Sequence, residues 1–340
     1  IFTKHFPFVE IIETSTVAST TTINENVFNA SQYLTVSYNR PTLDPLATWS
    51  VNGITWASND LTGLHPYSIF ITTENTIYAA NRQSGEIQIW YEGNMTNSQV
   101  IKGNISNPRS LFVTDEGDIY IDSGYPNGHV EKWSANDSIY STIMNVEQEC
   151  YGLFVDLRNI LYCSIMDRHQ VVAKSLENDS DDQVTVAGTG CSGSSLSMLS
   201  YPCGIFVDHN TSLYVADCGN NRVQLFYQGE SIATTIILNG ITGTFSLNCP
   251  TGVTLDANNY LFIVDNGNHR ILGSGPNGFR CLLGCISQPA STSNQLSYPQ
   301  TMSFDKYGNI FVVDTGNSRI QKFILLNNTL GKSKKKEIRH

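Results

Sequence analysis

Three histidines, His65, His169 and His269, stand 104 and 100 residues apart in a chain of 340. Three imidazoles gathered on one surface would form the ligand set of a catalytic zinc, which keeps a fourth position for water. Eight cysteines, all between Cys150 and Cys285, are even in number and lack the close C-x-x-C pairs of a structural zinc site. They read as disulfides and so point to an oxidising compartment. Seven Asn-x-Ser/Thr acceptors, at Asn29, Asn94, Asn104, Asn136, Asn178, Asn210 and Asn327, permit glycosylation in a secreted chain without showing secretion. Other signatures are missing: there is no G-x-S-x-G elbow, no H-E-x-x-H and no EF-hand loop. "GTGCSG" (188–193) lacks the lysine of a phosphate-binding loop and reads as a linker between strands. No cofactor is expected.

Charge narrows the partners. Only 15% of residues are charged and the formal net charge is −10, although the tail "KSKKKEIRH" (332–340) carries five Lys or Arg against one Glu. The remainder holds about −14, which repels a phosphate backbone and argues against nucleic acid. No stretch reaches the 18 apolar residues of a membrane-spanning helix. The chain begins at Ile1 rather than Met, as after removal of a signal or an anchor. "ETSTVASTTT" (13–22) reads as a stalk or linker. The expected organisation is an N-terminal Ser/Thr-rich extension over 1–45, a main domain over 46–330 and a basic tail over 331–340.

These side chains need positioning, and internal repetition supplies it. Six phrases recur: "YSIFIT" (67), "RSLFVT" (109), "YGLFVD" (151), "CGIFVD" (203), "TGVTLD" (251) and "QTMSFD" (300). Their last residues are spaced by 42, 42, 52, 48 and 49, the period of a four-stranded propeller blade. Four of the six carry an unbroken run of three apolar residues, IFI, LFV, LFV and IFV, as expected for a strand covered on both faces. Turns such as "HNTS" after Asp208 and "KYGN" after Asp305 supply the positive-φ residues of a hairpin. The sixth copy lacks an outer strand, whereas "NGITWAS" (52–58) is an outer strand with no inner strands before it. Lending the second to the first closes the ring and removes two exposed edges.

"LYVADCGNNRVQLF" (213–226), "LFIVDNGNHRIL" (261–272) and "IFVVDTGNSRIQKF" (310–323) resemble NHL repeats, whose motif is an alternating strand, Asp, a Gly/Asn turn and Arg. The resemblance implies an all-β, six-bladed NHL β-propeller. Asp217, Asp265 and Asp314 are expected to hold their hairpins together with Arg222, Arg270 and Arg319 by charge-assisted hydrogen bonds. Blades one to three depart from the motif, with Asn81, Ser123 and Ile165 at the Asp position and Glu86, His129 and Gln170 at the Arg position.

In such a wheel the loops approaching the inner strands share one face with the middle-hairpin turns. The candidate binding residues are His65, Tyr67, Arg109, Tyr151, Tyr201 and Tyr298 from the loops, and Arg82, Tyr125, His169 and His269 from the turns. An aromatic face with a few polar groups is the default recognition surface. The histidines fall in alternate blades, and the peptidyl-hydroxyglycine lyase, which is similar to this fold, binds zinc through histidines on such a face. Against a metal, His169 and His269 align with Asn221 and Ser318, ordinary turn positions.

Because blades touch only their neighbours, short bridges are favoured: Cys150–Cys163, Cys191–Cys203, Cys218–Cys249 and Cys281–Cys285, with Cys203–Cys218 as a rival. The residues point to an extracellular, secreted or cell-surface propeller that acts as a rigid module binding a protein, peptide or glycan. The alternatives are a metal-dependent propeller enzyme of lyase or hydrolase type, or a structural or assembly protein of a cell surface or filament. Homo-oligomerisation stays open.

Overall fold

A computed structural model describes residues 36–59, 65–92, 98–103, 105–177, 182–238 and 245–328. Six four-stranded antiparallel sheets succeed one another along the chain, and each runs from an apolar inner strand to a more exposed outer one. The inner strands are Pro66–Ile71, Leu111–Val113, Cys150–Val155, Pro202–Val207, Pro250–Leu255 and Pro299–Phe304. Pro66–Ile71 is buried at every residue, because sheets on either side cover both of its faces. Outer strands such as Val184–Gly188 bury one residue in five. Contacts between successive inner strands run round the whole wheel, from blade six back to blade one included.

The sixth sheet is completed by Ile54–Ser58, which pairs with Arg319–Phe323 with Ala57 opposite Ile320. The ring is thus closed by a strand from near the start of the chain, as its lone outer-strand pattern implied. Asp156, Asp208, Asp256 and Asp305 each accept backbone N–H groups of the hairpin that follows; Asp208 Oδ1, for example, binds the N–H of Asn210 and of Ser212. Among the described residues no helix is long and apolar enough to cross a membrane.

Residues 36–45, expected in the N-terminal extension, belong to the wheel instead. Tyr38 enters the lower end of the central channel, where its ring meets Phe154 at 5.4 Å and Phe206 at 5.7 Å between centroids. Asn39 donates from Nδ2 to the Thr72 and Phe304 carbonyls, and Arg40 donates to the Asp256 carbonyl. Leu43 is 1% exposed among Trp49, Phe304 and Phe323. Polar composition hid this strap, because backbone and amide hydrogen bonds hold it as much as apolar burial does. The Ser/Thr-rich run and the basic tail lie outside the described residues.

Candidate functional site

The first residues of the six repeated phrases are Tyr67, Arg109, Tyr151, Cys203, Thr251 and Gln300, one per blade. In five blades the pairing register shifts at this point, between Pro66 and Ser68, Cys150 and Gly152, Pro202 and Ile205, Pro250 and Gly252, and Pro299 and Met302. A bulge of this kind re-aims a side chain. The following residue is often glycine because the next blade crowds it; a Cβ at Gly204 would run into the Thr251 carbonyl.

Below this ring the channel is a cavity of about 120 Å³. Phe70, Phe112, Phe154 and Phe206, three residues further along their strands, pack with ring planes inclined at 59–64° and centroids 4.9–5.1 Å apart. Thr254 and Ser303 replace them in blades five and six. The wall is therefore aromatic on one side and polar on the other, and Tyr38 seals its lower end. Burial pushes the Tyr38 hydroxyl up to about 12.

The mouth is equally lopsided. The Arg109 guanidinium lies 4.9 Å from the centroids of both Tyr67 and Tyr151, and its Nε donates to Glu149 at 3.1 Å. Arg82 stacks on Tyr67 at 5.3 Å, and the Tyr125 N–H donates to Glu149. Desolvation raises the Tyr67 and Tyr151 hydroxyls, opposed by Arg109. Cys203, fully buried beside them, is raised to about 12 by burial. Such groups are neutral hydrogen-bonding partners rather than bases or nucleophiles at neutral pH.

His169 and His269 adopt left-handed backbone conformations at the ends of their middle turns. Each accepts, at Nδ1 and 3.1 Å, the N–H of a tyrosine in the next blade, Tyr201 and Tyr298 respectively, and meets that tyrosine's ring at close to a right angle. Asn221 does the same for Cys249, and Ser318 Oγ approaches His65 Nδ1 at 3.2 Å. These are seam positions, one per blade. Among the described residues no group of three His, Cys, Asp or Glu is placed to hold a metal. Burial lowers the His269 imidazole.

Framework chemistry carries the repeat motif. Asp217, Asp265 and Asp314 accept Arg222, Arg270 and Arg319 at 2.6–2.8 Å. Each also accepts the N–H of its own approach loop, at Ser200, Asn248 and Ser297. In blade two the register sets Ser123 at this position, but the buried carboxylate is its neighbour Asp122, which binds the N–H groups of Arg109 and Cys150. Desolvation raises Asp122 to about 7. Asp122 escapes comparison of the repeats because it lies one residue before the motif position, and Cys203, Thr251 and Gln300 escape it because six copies carry five residue types there.

Cys150–Cys163, Cys218–Cys249 and Cys281–Cys285 are bridged. The expected Cys191–Cys203 bridge is not formed: both thiols are free, Cys203 buried at the mouth and Cys191 exposed in the loop before blade four. The acceptor asparagines Asn136, Asn210 and Asn327 are exposed, while Asn29, Asn94, Asn104 and Asn178 lie outside the described residues.

The NHL repeat model matches residues 247–273 and 296–323. A search of curated protein sequences found no match. Virginiamycin B lyase from Staphylococcus aureus has a similar structure, with 12% identity and a TM-score of 0.57 over 82% of this chain and all of that one. An auxiliary nutrient binding protein from Bacteroides thetaiotaomicron reaches 0.59 at 12% identity, over 86% of this chain and 76% of that one. A chain of the nidogen/laminin complex reaches 0.51 at 17%, over 71% and 90%. These likenesses show the fold, which lyases and binding proteins share, and leave function to the site. The chain is a six-bladed β-propeller that carries NHL repeats in its last two blades.

Proposed function

We propose that the protein is an extracellular binding module whose upper face recognises a protein, peptide or glycan through the channel mouth. The observation that supports this reading is the asymmetry of the ring. A near-repetitive scaffold holds two tyrosines and an arginine on one side of the mouth, and a cysteine, a threonine and a glutamine on the other. The ring side chains are set by bulges and cross-blade contacts before any ligand arrives, and preorganisation of this kind lowers the ordering cost of binding. Tyr125, Tyr201 and Tyr298, at 71%, 44% and 53% exposed, offer rigid aromatic contact area around it. Three disulfides suit the oxidising compartment that the reading requires.

The test is a screen of the full chain against glycan and peptide arrays, with Tyr151→Ala and Tyr298→Ala beside Tyr307→Ala on the lower face. Upper-face variants should lose the ligand while Tyr307→Ala keeps it. The reverse pattern, or turnover of the captured ligand, would refute a pure binding role for this face.

A further inference from the structure

The seams between blades are closed in different ways on the upper face. At two of them a histidine ring packs against a tyrosine ring, His169 with Tyr201 and His269 with Tyr298. The first residue of the middle turn also reaches across its seam. In blade four it is Cys218, bonded to Cys249; in blade five it is Asn266, whose Nδ2 donates to the Pro299 carbonyl at 2.8 Å. In blade six the equivalent residue is Thr315, and its buried Oγ1 has no hydrogen-bond partner. A buried hydroxyl left so has lost its water without gaining a partner, which is unfavourable.

The ring is missing here as well. Ser318 occupies the left-handed position, with a serine side chain where His169 and His269 carry imidazoles, and its Oγ approaches His65 Nδ1. What remains between blades six and one is a groove of about 330 Å³, lined by His65, Arg82, Gln83, Asn107, Thr315 and Ser318. Arg82 spends Nε on the Asn107 amide oxygen at 3.3 Å and stacks on Tyr67. Among the described residues no carboxylate pairs with it.

We propose that this groove binds the carboxylate of a small ligand. The Arg82 guanidinium presents the planar fork that pairs with a carboxylate, the Thr315 hydroxyl donates to one of its oxygens, and His65 and Ser318 line the rim. The net charge of −10 favours a singly charged carboxylate over a phosphate dianion. The inference rests on the reading of the upper face as the recognition surface, and the groove shares with the channel mouth only Arg82, which stacks on Tyr67.

The full chain is titrated calorimetrically with glucuronate, with glucose and with inorganic phosphate. Glucuronate should bind saturably and glucose should not. Arg82→Gln should weaken glucuronate at least about tenfold, and Thr315→Val should weaken it less. Ser318→His, which installs the ring that two other seams carry, should abolish binding without lowering the melting temperature. Absence of glucuronate binding, tighter binding of phosphate, or equal affinity in Arg82→Gln would overturn the proposal. Tyr151→Ala separates the two readings: glucuronate binding that survives this change, with no array ligand found, leaves the groove standing and removes the mouth.

Discussion

Arg222 Nε donates to Asp217 Oδ2 at 2.6 Å with the two side chains 4% and 0% exposed. The same guanidinium also donates to the carbonyls of Ser194, Ser195 and Met198. The pair therefore fixes the loop that delivers Tyr201 and Cys203 to the upper face, as well as its own hairpin. Arg319 repeats the arrangement on the Ser291, Thr292 and Gln295 carbonyls.

Arg222→Met should destabilise the protein by about 3–5 kcal/mol, because it leaves a buried carboxylate uncompensated and three carbonyls unpaired. The double change Asp217→Leu with Arg222→Met should cost less than the sum of the two single changes. Denaturant unfolding of the four proteins checks this; additive losses would mean the pair is not a unit.

Asp122 should make stability depend on pH. Its carboxyl is raised from 3.8 to about 7, chiefly by desolvation and a little by Glu149, against lowering by the N–H groups of Cys150, Arg109 and Gly124. The native state therefore holds a proton that the unfolded state releases, and linkage requires stability from this group to be full below pH 3.8 and lost as pH rises through about 7. In Asp122→Asn that decline between pH 4 and pH 7 should flatten. Denaturation midpoints across the range measure it, and parallel curves for the two proteins would contradict the assignment.

Thiol counting tests the cysteine arrangement. Without reductant, the native protein should react with one equivalent of a maleimide, at exposed Cys191, and the denatured protein with two, the second being Cys203. Zero in both states would restore the Cys191–Cys203 bridge. Separately, Cys218→Ser with Cys249→Ser should cost about 2–5 kcal/mol in an unfolding titration.

Much of the architecture could be read from the chain because the blade period imposes strand, turn and charge at fixed offsets. The orphan strand near residue 54 and the incomplete sixth blade announced each other. His169 and His269 were recognisable as turn residues through Asn221 and Ser318. The site was less legible. Whether Cys203 meets Cys191 depends on the path of a Ser/Gly-rich loop, which carries no periodic pattern. Asp122 is a buried carboxylate one place before the motif position and binds backbone N–H groups in place of an arginine, a displacement that alignment of repeats cannot see. The strap over residues 36–45 lacks any period, and Tyr38 has meaning only once three phenylalanines from three blades, Phe112, Phe154 and Phe206, meet its ring.

Closure has a consequence for how the molecule is made. Ala57 pairs with Ile320, so the segment around residue 54 leaves the ribosome early and then waits for nearly the whole domain before its partner exists. Five sheets can stack in order as they emerge, but the last keeps a bare, pairing-competent margin until Ile54–Ser58 returns to it. Closure of the wheel is therefore a docking event between its first and last strands, and a polypeptide truncated within blade six has no way to lock the five blades already built.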